Sequence, residues 1–388
     1  MKKPVLALVP SAYKTNKVYS VLPVNGDGDF DLSRSSNATR VRKDGLIETV
    51  SNNVPRLDWL NSNCPSLLLE PTRTNYAINS SDASLWGNVS GSQLITKTQN
   101  FSVSPTGENN ATRLEAKATG NNYSLIQLST SSITGNYTGS VYLKSNTQNT
   151  QNIIVYGRNT SVNSYEIGNE WKRIDLQGSG TTGQNLFLFI GSYPSNGSDE
   201  IIDISVWGGQ LEQGNYPTSL IKTQSGIVTR NEDVCGDAGN ADLFSSNEGT
   251  MFVDIQKSFK DNNFGRISIS DESTANRIVI GKQSNNTQFR MTIERVVSGN
   301  VIAYYYPFLD FDVQNKLAIT FKFGEFKFYV NGVLASTETP NEDIPVGLSK
   351  FAFNGNNLGS ADFFGEINDV RYYDRVLTEA EAIKLTTI

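Results

Sequence analysis

Histidine is absent from the 388 residues, and cysteine occurs only twice, as Cys64 and Cys235. The absence of histidine excludes histidine-based catalytic triads, histidine general bases and nearly every common zinc site. The two cysteines form neither a CxxC pair nor a zinc-ligand spacing, so we expect two ordinary thiols. The chain therefore lacks the residues on which the commonest hydrolase and metalloenzyme sites are built.

Charge and long apolar runs are also scarce. Charged residues make up 19% of the chain, and the net charge is -6 at pH 7. An acidic chain is not attracted as a whole to nucleic-acid phosphates or to anionic membranes. No apolar run approaches the ~20 residues of a membrane-spanning helix, and the apolar start is too short and proline-interrupted for a signal peptide. We therefore expect no nucleic-acid partner, no membrane insertion and no cleaved leader.

Asparagine, serine, threonine and glycine dominate instead, together with tyrosine and phenylalanine, a composition that favours short strands and many turns. Strand-like segments are separated by turn residues throughout the middle of the chain: SLIQLS, YTGSVYLK, NIIVYG, WKRIDL, LFLFIG and IIDISVWGGQLE. In one of them Tyr137, Val141 and Leu143 share a face, as in a sheet buried on one side. The pattern predicts an all-β fold of two tandem antiparallel β-sandwiches of jelly-roll type, preceded by an extended N-terminal attachment region.

We expect four segments along the chain. They are an attachment region (residues 1–75), a first sandwich (76–222), a connector (223–234) and a second sandwich (235–388). Three dipeptides predict tight hairpin turns: Asp44-Gly45, Gly324-Glu325 and Asn331-Gly332. Thr378 and Glu381 have the spacing of a capping box, which predicts a short C-terminal helix.

The closing segment resembles a known domain family. The residues GEINDVRYYDRVLTEAE, together with the upstream FYVNGVLAS, are similar to the end of a laminin-G/concanavalin A-like jelly roll. This resemblance covers roughly residues 235–388 and implies a fold that hosts both lectins and glycan hydrolases.

The earlier segments resemble bacteriophage structural proteins. WGGQLEQGNYPTSLIKTQSGIVTRNEDV is similar to the end of their carbohydrate-binding-module-like sandwiches, and VPRLDW and CPSLLLEPTRTN are similar to their N-terminal regions. The resemblance implies a head fibre, tail fibre or decoration protein located in the virion. It also implies docking to capsid or tail proteins, a homo-oligomer, with a trimer typical of fibres, and binding of host-surface glycans.

The stretch FDLSRSSNATRVRK (residues 30–43) allows three interpretations: a nucleic-acid arm, a flexible linker or an anchoring strap. Its four basic side chains are Arg34, Arg40, Arg42 and Lys43. Nearby carboxylates cancel most of this charge, which disfavours nucleic acid. We favour a strap whose arginines pair with acidic patches on another virion protein.

Catalysis by glycan hydrolases of the concanavalin-like fold requires carboxylates in the pattern E-x-D-x-x-E along one strand, so that acid and nucleophile share a face. No glutamate of this chain has aspartate two residues later. Asp310 and Asp312 form a lone Asp-x-Asp, which solvated carboxylates explain. We therefore expect no enzyme, with a polysaccharide-cleaving tail enzyme and a ligand-free decoration protein as the alternatives.

Glycan binding without catalysis needs exposed aromatic rings, because a planar ring stacks on the apolar face of a pyranose. The candidates are Trp86, in a loop-like segment, and the run Tyr304, Tyr305 and Tyr306, of which strand alternation exposes one or two. Trp171 and Trp207 fit core positions instead.

A calcium ion is the one cofactor that the sequence leaves open. The loop NEDVCGDAGNAD (residues 231–242) offers Asp233, Asp237 and Asp242, and laminin-G-like domains often hold calcium with loop aspartates. The spacing does not match an EF-hand, so we expect no cofactor but keep this loop as a candidate.

Overall fold

A computed structural model describes residues 3–60, 62–120, 122–193, 200–245, 247–295, 301–356 and 361–388. Strands dominate it, and the one α-helix that these residues form is α1 (Glu379–Thr386). No helix of the described residues is long and apolar enough to span a membrane. The all-β, antiparallel fold class predicted from the sequence is confirmed.

The strands are numbered in chain order. The first sixteen are β1 (Leu6–Leu8), β2 (Tyr13–Lys14), β3 (Lys17–Val18), β4 (Phe30–Ser33), β5 (Ala38–Val41), β6 (Ile47–Val50), β7 (Leu57–Asp58), β8 (Ser66–Leu69), β9 (Arg73–Asn75), β10 (Gly87–Asn88), β11 (Leu94–Val103), β12 (Asn109–Ala118), β13 (Ser124–Ser132), β14 (Gly135–Ser145), β15 (Gln151–Gly157) and β16 (Asn163–Ile167). The others are β17 (Lys172–Gly180), β18 (Asn185–Ser192), β19 (Glu200–Gln213), β20 (Val228–Arg230), β21 (Val234–Gly236), β22 (Glu248–Ser258), β23 (Gly265–Ser270), β24 (Asn276–Lys282), β25 (Phe289–Arg295), β26 (Val301–Tyr305), β27 (Asn315–Lys322), β28 (Glu325–Val330), β29 (Val333–Glu338), β30 (Lys350–Ala352) and β31 (Gly365–Tyr373).

The chain divides into two compact units whose boundaries differ from the four expected segments. The first unit comprises Met1–Asn37, Val50–Pro71 and Asn231–Ile388. The second unit comprises Ala38–Thr49 and Thr72–Arg230. The second unit is thus inserted into the sequence of the first, and the opening stretch, residues 30–43, is shared between them.

Two large sheets form the sandwich of the first unit, which also contains the small sheet β2-β3-β4-β21. One has the order β29-β28-β27-β22-β31-β8-β7, with β1 also paired to β31, and the other has the order β26-β25-β24-β23-β30. Apolar residues of both sheets, such as Val253 and Ile319 on one and Ile278 and Met291 on the other, belong to one buried cluster. Burial of this apolar surface is the main stabilising contribution to such a sandwich.

The N-terminal segments are strands of this same unit rather than an extended region that precedes it. Leu6 pairs with Tyr372, and Leu67 pairs with Ile367, so β31 gains hydrogen-bonded partners from both β1 and β8. Leu6, Leu8 and Leu67 are fully buried in the common core. The surface on which the N-terminal segments pack is therefore supplied by residues 231–388 of the same chain.

Two five-stranded sheets build the second unit, with the orders β10-β13-β18-β15-β16 and β11-β12-β19-β14-β17. Tyr137, Val141 and Leu143 on β14 lie in the core between them, which confirms the predicted shared face. The short hairpin β5–β6 adds Ile47 to a second small cluster around Trp207.

The predicted turns have mixed outcomes. At Asn331-Gly332 both residues have positive φ, 47° and 83°, and Val330 pairs with Val333, which confirms a type I′ turn. The loop between β27 and β28 was predicted as Gly324-Glu325, but it consists of Phe323-Gly324, because Lys322 pairs with Glu325. The Asp44-Gly45 turn is wrong as a type I′ turn, because only Gly45 has positive φ and the connection spans residues 42–46.

The C-terminal capping box is confirmed. The Thr378 side chain accepts a hydrogen bond from the Glu381 backbone N–H, and the Glu381 carboxylate accepts one from the Thr378 N–H. These contacts satisfy donors that the first turn of a helix leaves free.

Candidate functional site

Trp86 does not present a ring to solvent, contrary to the expectation that it stacks on sugars. Its side chain is 4% exposed and belongs to the core of the second unit. The indole Nε1 donates to the Asn79 carbonyl at 2.9 Å, and the ring lies so close to Gly209 that a Cβ there would be 2.6 Å from it. The segment is not an open loop, because Trp86 ends a short 3-10 turn (Ala83–Leu85) directly before β10 and its ring lies in the core.

The other two tryptophans of this unit were expected in the core. Trp207 is fully buried. Trp171 is half-buried against the same small cluster, and its Nε1 donates to the Val103 carbonyl at 3.0 Å. Both therefore have structural roles.

Arg34 is not available to a separate attachment partner. It is buried and donates to Asp233 at 2.8 Å and to the backbone carbonyls of Ser36 and Ser51. Burial of a guanidinium requires such partners, and residues of the same unit supply them.

The remaining basic residues of the opening stretch lie in the second unit. Arg40 pairs with Glu48 at 2.7 Å, and Arg42 pairs with Asp44. Arg42 and Lys43 are exposed at the tip of the β5–β6 hairpin. An attachment role for these residues stays a prediction.

The loop that offered a calcium site uses its aspartates otherwise. Asp233 is fully buried against Arg34 and Arg56, and Asp237 pairs with Lys350 at 2.6 Å. Among the described residues no group of three or more acidic or cysteine side chains has the geometry to hold a metal ion.

Asp310 and Asp312 lie in a loop and turn rather than on a strand. Both are more than half exposed and pair with Lys260, at 3.8 Å and 2.5 Å. Their surroundings are those of solvated carboxylates.

Sequence reasoning missed a set of aromatic rings on the outer face of the second unit. In the sheet β13–β18–β15, Phe189 pairs with Gln127 on one side and Tyr156 on the other, and Phe187 lies two residues along. The alternating residues Leu186, Leu188 and Ile190 point into the core. We call the outward set, Tyr123, Tyr156, Phe187, Phe189 and Tyr193, the aromatic face.

Ring contacts connect the aromatic face. Tyr156 and Phe189 stack with centroids 4.7 Å apart and planes at 28°, and Phe187 and Phe189 stack at 5.5 Å and 26°. Tyr123 and Tyr193 meet edge-to-face at 6.1 Å. Every ring of the set is half-buried or more exposed, with Tyr193 41% exposed. The strands thus hold three rings as a rigid, nearly flat apolar surface in water.

Polar groups surround these rings. The Arg158 guanidinium lies 6.0 Å from the Phe187 centroid and donates to the Asn185 carbonyl, while Gln127 and Ser129 stand beside the rings on β13. Burial, and then the neighbouring Tyr123 and Tyr193, raise the pKa of Tyr156. Its phenol therefore stays neutral at physiological pH and can donate a hydrogen bond. An apolar surface with a rim of donors and acceptors suits a sugar ring.

The sequence did carry a signal for this face. LFLFIG is one of the predicted strand-like segments, and its leucines and phenylalanines alternate. Alternation places all the leucines on one side and all the phenylalanines on the other. A strand that is apolar on both faces has more apolar surface than one core needs, and here the face that does not enter the core is the aromatic one.

The tyrosine run 304–306 divides as alternation requires. Tyr304 is 58% exposed, and its ring lies 5.5 Å from that of Tyr306. Tyr305 points inward and packs on the core near Phe328. Two of the three predicted ligand-contact residues thus lie on the outer face of the first unit, and Tyr305 does not.

Each unit also has a cleft. The cleft of the first unit, about 730 Å³, is lined by residues such as Asn16, Lys17 and Asp31, and that of the second, about 760 Å³, by residues such as Asn79, Asp82 and Gln224. Neither lining contains an aromatic residue. Without a ring to stack on, these clefts suit sugars less well than the aromatic face.

One carboxyl group of the first unit titrates near neutrality. Burial, with a smaller contribution from Asp58, raises the pKa of Glu366 from 4.5 to about 7. Between pH 4.5 and pH 7 the unfolded chain releases the Glu366 proton while the folded chain keeps it. The free energy of unfolding therefore falls as pH rises and stays lower above pH 7.

We expect Glu366→Gln to abolish this dependence and to stabilise the unit at pH 8 by on the order of 1–3 kcal/mol. Denaturant unfolding at pH 4 and pH 8 tests this, with the exposed Glu338→Gln as control. A pH dependence equal in both variants would contradict it.

Comparison with known proteins identifies part of the chain. Residues 256–382, about a third of the sequence, match the family described as the concanavalin A-like lectin/glucanases superfamily. This match supports the C-terminal resemblance, since the segment is similar to the concanavalin A-like domains of that family. No curated protein sequence matches the chain.

Three solved structures illustrate more distant likenesses. The Ruminococcus gnavus IT-sialidase CBM40 bound to α2,3-sialyllactose is 17% identical, with a TM-score of 0.33, 37% of this chain covered and 84% of that one. Domain 4 of the arabinanase AbnA from Geobacillus stearothermophilus is 16% identical, with a TM-score of 0.29 and coverage of 45% and 84%. The CBM22 tandem of Paenibacillus barcinonensis Xyn10C is 10% identical, with a TM-score of 0.26 and coverage of 77% and 96%. Such low scores carry no function from those proteins to this chain.

Proposed function

We propose that this protein binds glycans without cleaving them, as a component of a bacteriophage particle. The observation that carries the glycan part is the aromatic face, on which Tyr156, Phe189 and Phe187 stack in a connected surface at the outside of a rigid sheet. Alternation commits these rings to the outside, where water makes them costly unless a ligand covers them.

The chemistry of the aromatic face suits a sugar chain. Pyranose rings have apolar C–H faces that stack on aromatic rings, each contact contributing about 0.5–1.5 kcal/mol. Gln127, Ser129 and the Arg158 guanidinium provide hydrogen bonds to hydroxyl groups at the rim. A few such contacts give weak binding at one site, which several copies on one particle would strengthen by avidity.

The virion part of the proposal rests on the resemblance of the N-terminal and middle segments to phage head-fibre, tail-fibre and decoration proteins. It includes docking to capsid or tail proteins and assembly as a homo-oligomer, with a trimer as the expected state. Within the structure, the exposed Arg42 and Lys43 remain candidates for this docking. The non-catalytic part rests on the absence of an E-x-D-x-x-E strand from the sequence.

Phe189→Ala tests the binding site. We expect a loss of glycan affinity of tenfold or more, because this ring contacts both others in the aromatic face. A glycan array identifies ligands of the full chain, and isothermal titration calorimetry measures the affinity of the variant. Phe101→Ala is the matched control, since Phe101 is 42% exposed on the opposite sheet of the same unit.

Several outcomes would contradict the proposal. Equal affinities of the two variants would remove the aromatic face as the site. Turnover of the bound polysaccharide that disappears in a carboxylate variant would make the protein an enzyme. An array without any binder, together with tight binding to capsid or tail components, would make it a decoration protein.

A further inference from the structure

The outer face of the sheet β23–β26 in the first unit carries an unusual concentration of arginine. Arg266 pairs with Gly281, which pairs with Arg290, so two guanidinium groups lie in one row with no side chain between them. Arg277 pairs with Glu294 on the same face, four residues along the strands from the pair of Gly281 and Arg290. We call this set, Arg266, Arg277, Arg290 and Glu294 with Tyr304 and Tyr306, the arginine face.

One carboxylate holds two of the three arginines. Arg277 donates its Nε to Glu294 at 2.7 Å and its Nη1 to the Gly355 carbonyl at 2.7 Å. Arg290 donates to the other oxygen of Glu294, which also accepts from Thr292 at 2.9 Å. Burial opposes ionisation of Glu294, but the two arginines together lower its pKa. The carboxylate is therefore charged, and three positive charges face one negative charge.

Arg266 differs from the other two arginines, because its guanidinium lies over the Phe264 ring, 5.9 Å from the centroid, and not against a carboxylate. Its guanidinium forms no hydrogen bond or ion pair within the described residues, and its Nε is buried and unpaired. Burial, followed by repulsion from Arg277 and Arg290, lowers its pKa. A half-buried guanidinium beside two others costs free energy that a bound anion would recover.

Aromatic rings lie next to this charge. Tyr306 lies 5.9 Å from the Arg290 guanidinium and 5.5 Å from the Tyr304 ring. Tyr304 is 58% exposed, so one ring face is open to a ligand. The sheet therefore offers an anion contact on β23 and a stacking surface on β26, with β24 and β25 between them.

We propose that the arginine face is a second binding site for an acidic polysaccharide, in which Arg266 takes the anionic group of one sugar residue while another residue of the same polymer lies against Tyr304, about three strand spacings away. A planar guanidinium fork matches a carboxylate or sulfate by paired N–H donors. The inference rests on the proposed function only in taking a sugar as carrier of the anion, because its residues belong to a different unit from the aromatic face.

The test compares three polymers bound by the full chain: polygalacturonate, dextran sulfate and neutral dextran. Calorimetry or biolayer interferometry at low and high salt gives the affinities. We expect an acidic polymer to bind, and Arg266→Gln to weaken it at least tenfold, with Arg266→Lys intermediate because it keeps the charge and loses the fork. Tyr304→Ala should weaken it several-fold.

Arg42→Gln is the matched control, because it removes the same charge from an exposed site elsewhere. Arg266 has no hydrogen bond or ion pair to lose among the described residues, and the Phe264 ring that it contacts is 46% exposed, so Arg266→Gln should change the melting temperature little. Tyr304→Ala tests the site with an exposed residue. A loss of affinity for an acidic polymer in both Arg266→Gln and Tyr304→Ala supports the proposal. Whether polygalacturonate or dextran sulfate shows this loss identifies the anionic group as carboxylate or sulfate. Acidic binding that changes equally in Arg266→Gln and Arg42→Gln, or no acidic binding at all, would overturn it.

The two proposals fail separately. Neutral glycan binding that depends on Phe189, without any acidic binding, would leave the aromatic face intact and remove the arginine face. If binding of an acidic polymer depends on Arg266 but Phe189→Ala affects no glycan, the arginine face stands and the aromatic face is removed as a site.

Discussion

Asp233→Asn should destabilise the first unit by about 3–5 kcal/mol, the usual cost of breaking a buried ion pair by removing one partner. Asp233 lies between Arg34 and Arg56, and all three side chains are fully buried. Arg56 also pairs with Glu70, whose side chain is 2% exposed. The substitution would leave two buried positive charges against one negative charge.

The effect is large because this cluster joins distant parts of the sequence. Arg34 and Arg56 belong to the N-terminal segments, while Asp233 begins the C-terminal part of the same unit. The backbone strengthens the junction, because the Asp233 N–H donates to the Glu70 carbonyl at 3.0 Å and the Glu70 N–H to the Asp233 carboxylate at 3.0 Å. Loss of the central carboxylate therefore weakens the attachment of both N-terminal segments.

Hydrogen exchange measured peptide by peptide along a denaturant series would report this loss. Exchange in β22 and β31 should accelerate, while exchange in β14 and β19 of the second unit provides an internal reference. Asp237→Asn is the control, since Asp237 is about half exposed in its pair with Lys350 and such pairs contribute under about 1 kcal/mol. A similar, small effect of both substitutions would show that the arginines find other partners or water.

The sequence predicted what depends on local pattern. Alternation placed Tyr137, Val141 and Leu143 in a core, and the Asn331-Gly332 turn and the Thr378 cap followed from local chemistry. The sequence did not predict the pairing of Leu6 with Tyr372, because no local pattern encodes a partner more than three hundred residues away. The segment boundaries differed for the same reason, since polar spacers hid short strands that complete a distant sheet.

The aromatic face was missed for a related reason. Trp86 was chosen because its segment looked like a loop, but it follows a short 3-10 turn (Ala83–Leu85) and its ring is buried in the core. The segment with Phe187 and Phe189 was predicted as a strand, but its two faces were not distinguished, although alternation with leucine commits both rings to the outer face. Residue type alone identified rings capable of stacking, whereas only the register decides which of them meet solvent.

The second large effect concerns the N-terminal segments themselves. We expect residues 231–388, produced alone, not to fold, although they contain the whole concanavalin A-like match. In this fragment β31 loses β1 and β8, and the core loses Leu6, Leu8, Leu67 and Leu69, all fully buried. At roughly 1.5–3 kcal/mol for each buried leucine, the loss equals the entire stability of a typical domain.

A chain that lacks the second unit but keeps these segments should fold. In this shortened chain, a short Gly-Ser linker joins Pro71 to Asn231, and a second Gly-Ser linker replaces the hairpin of residues 38–49. The first joint is short because β9 and β20 pair antiparallel, with Arg73 opposite Arg230. Circular dichroism and a cooperative melt distinguish the two chains. A cooperative melt of isolated residues 231–388 would contradict the prediction, and so would failure of the joined chain to fold, because the N-terminal strands would then not be what completes the sheet.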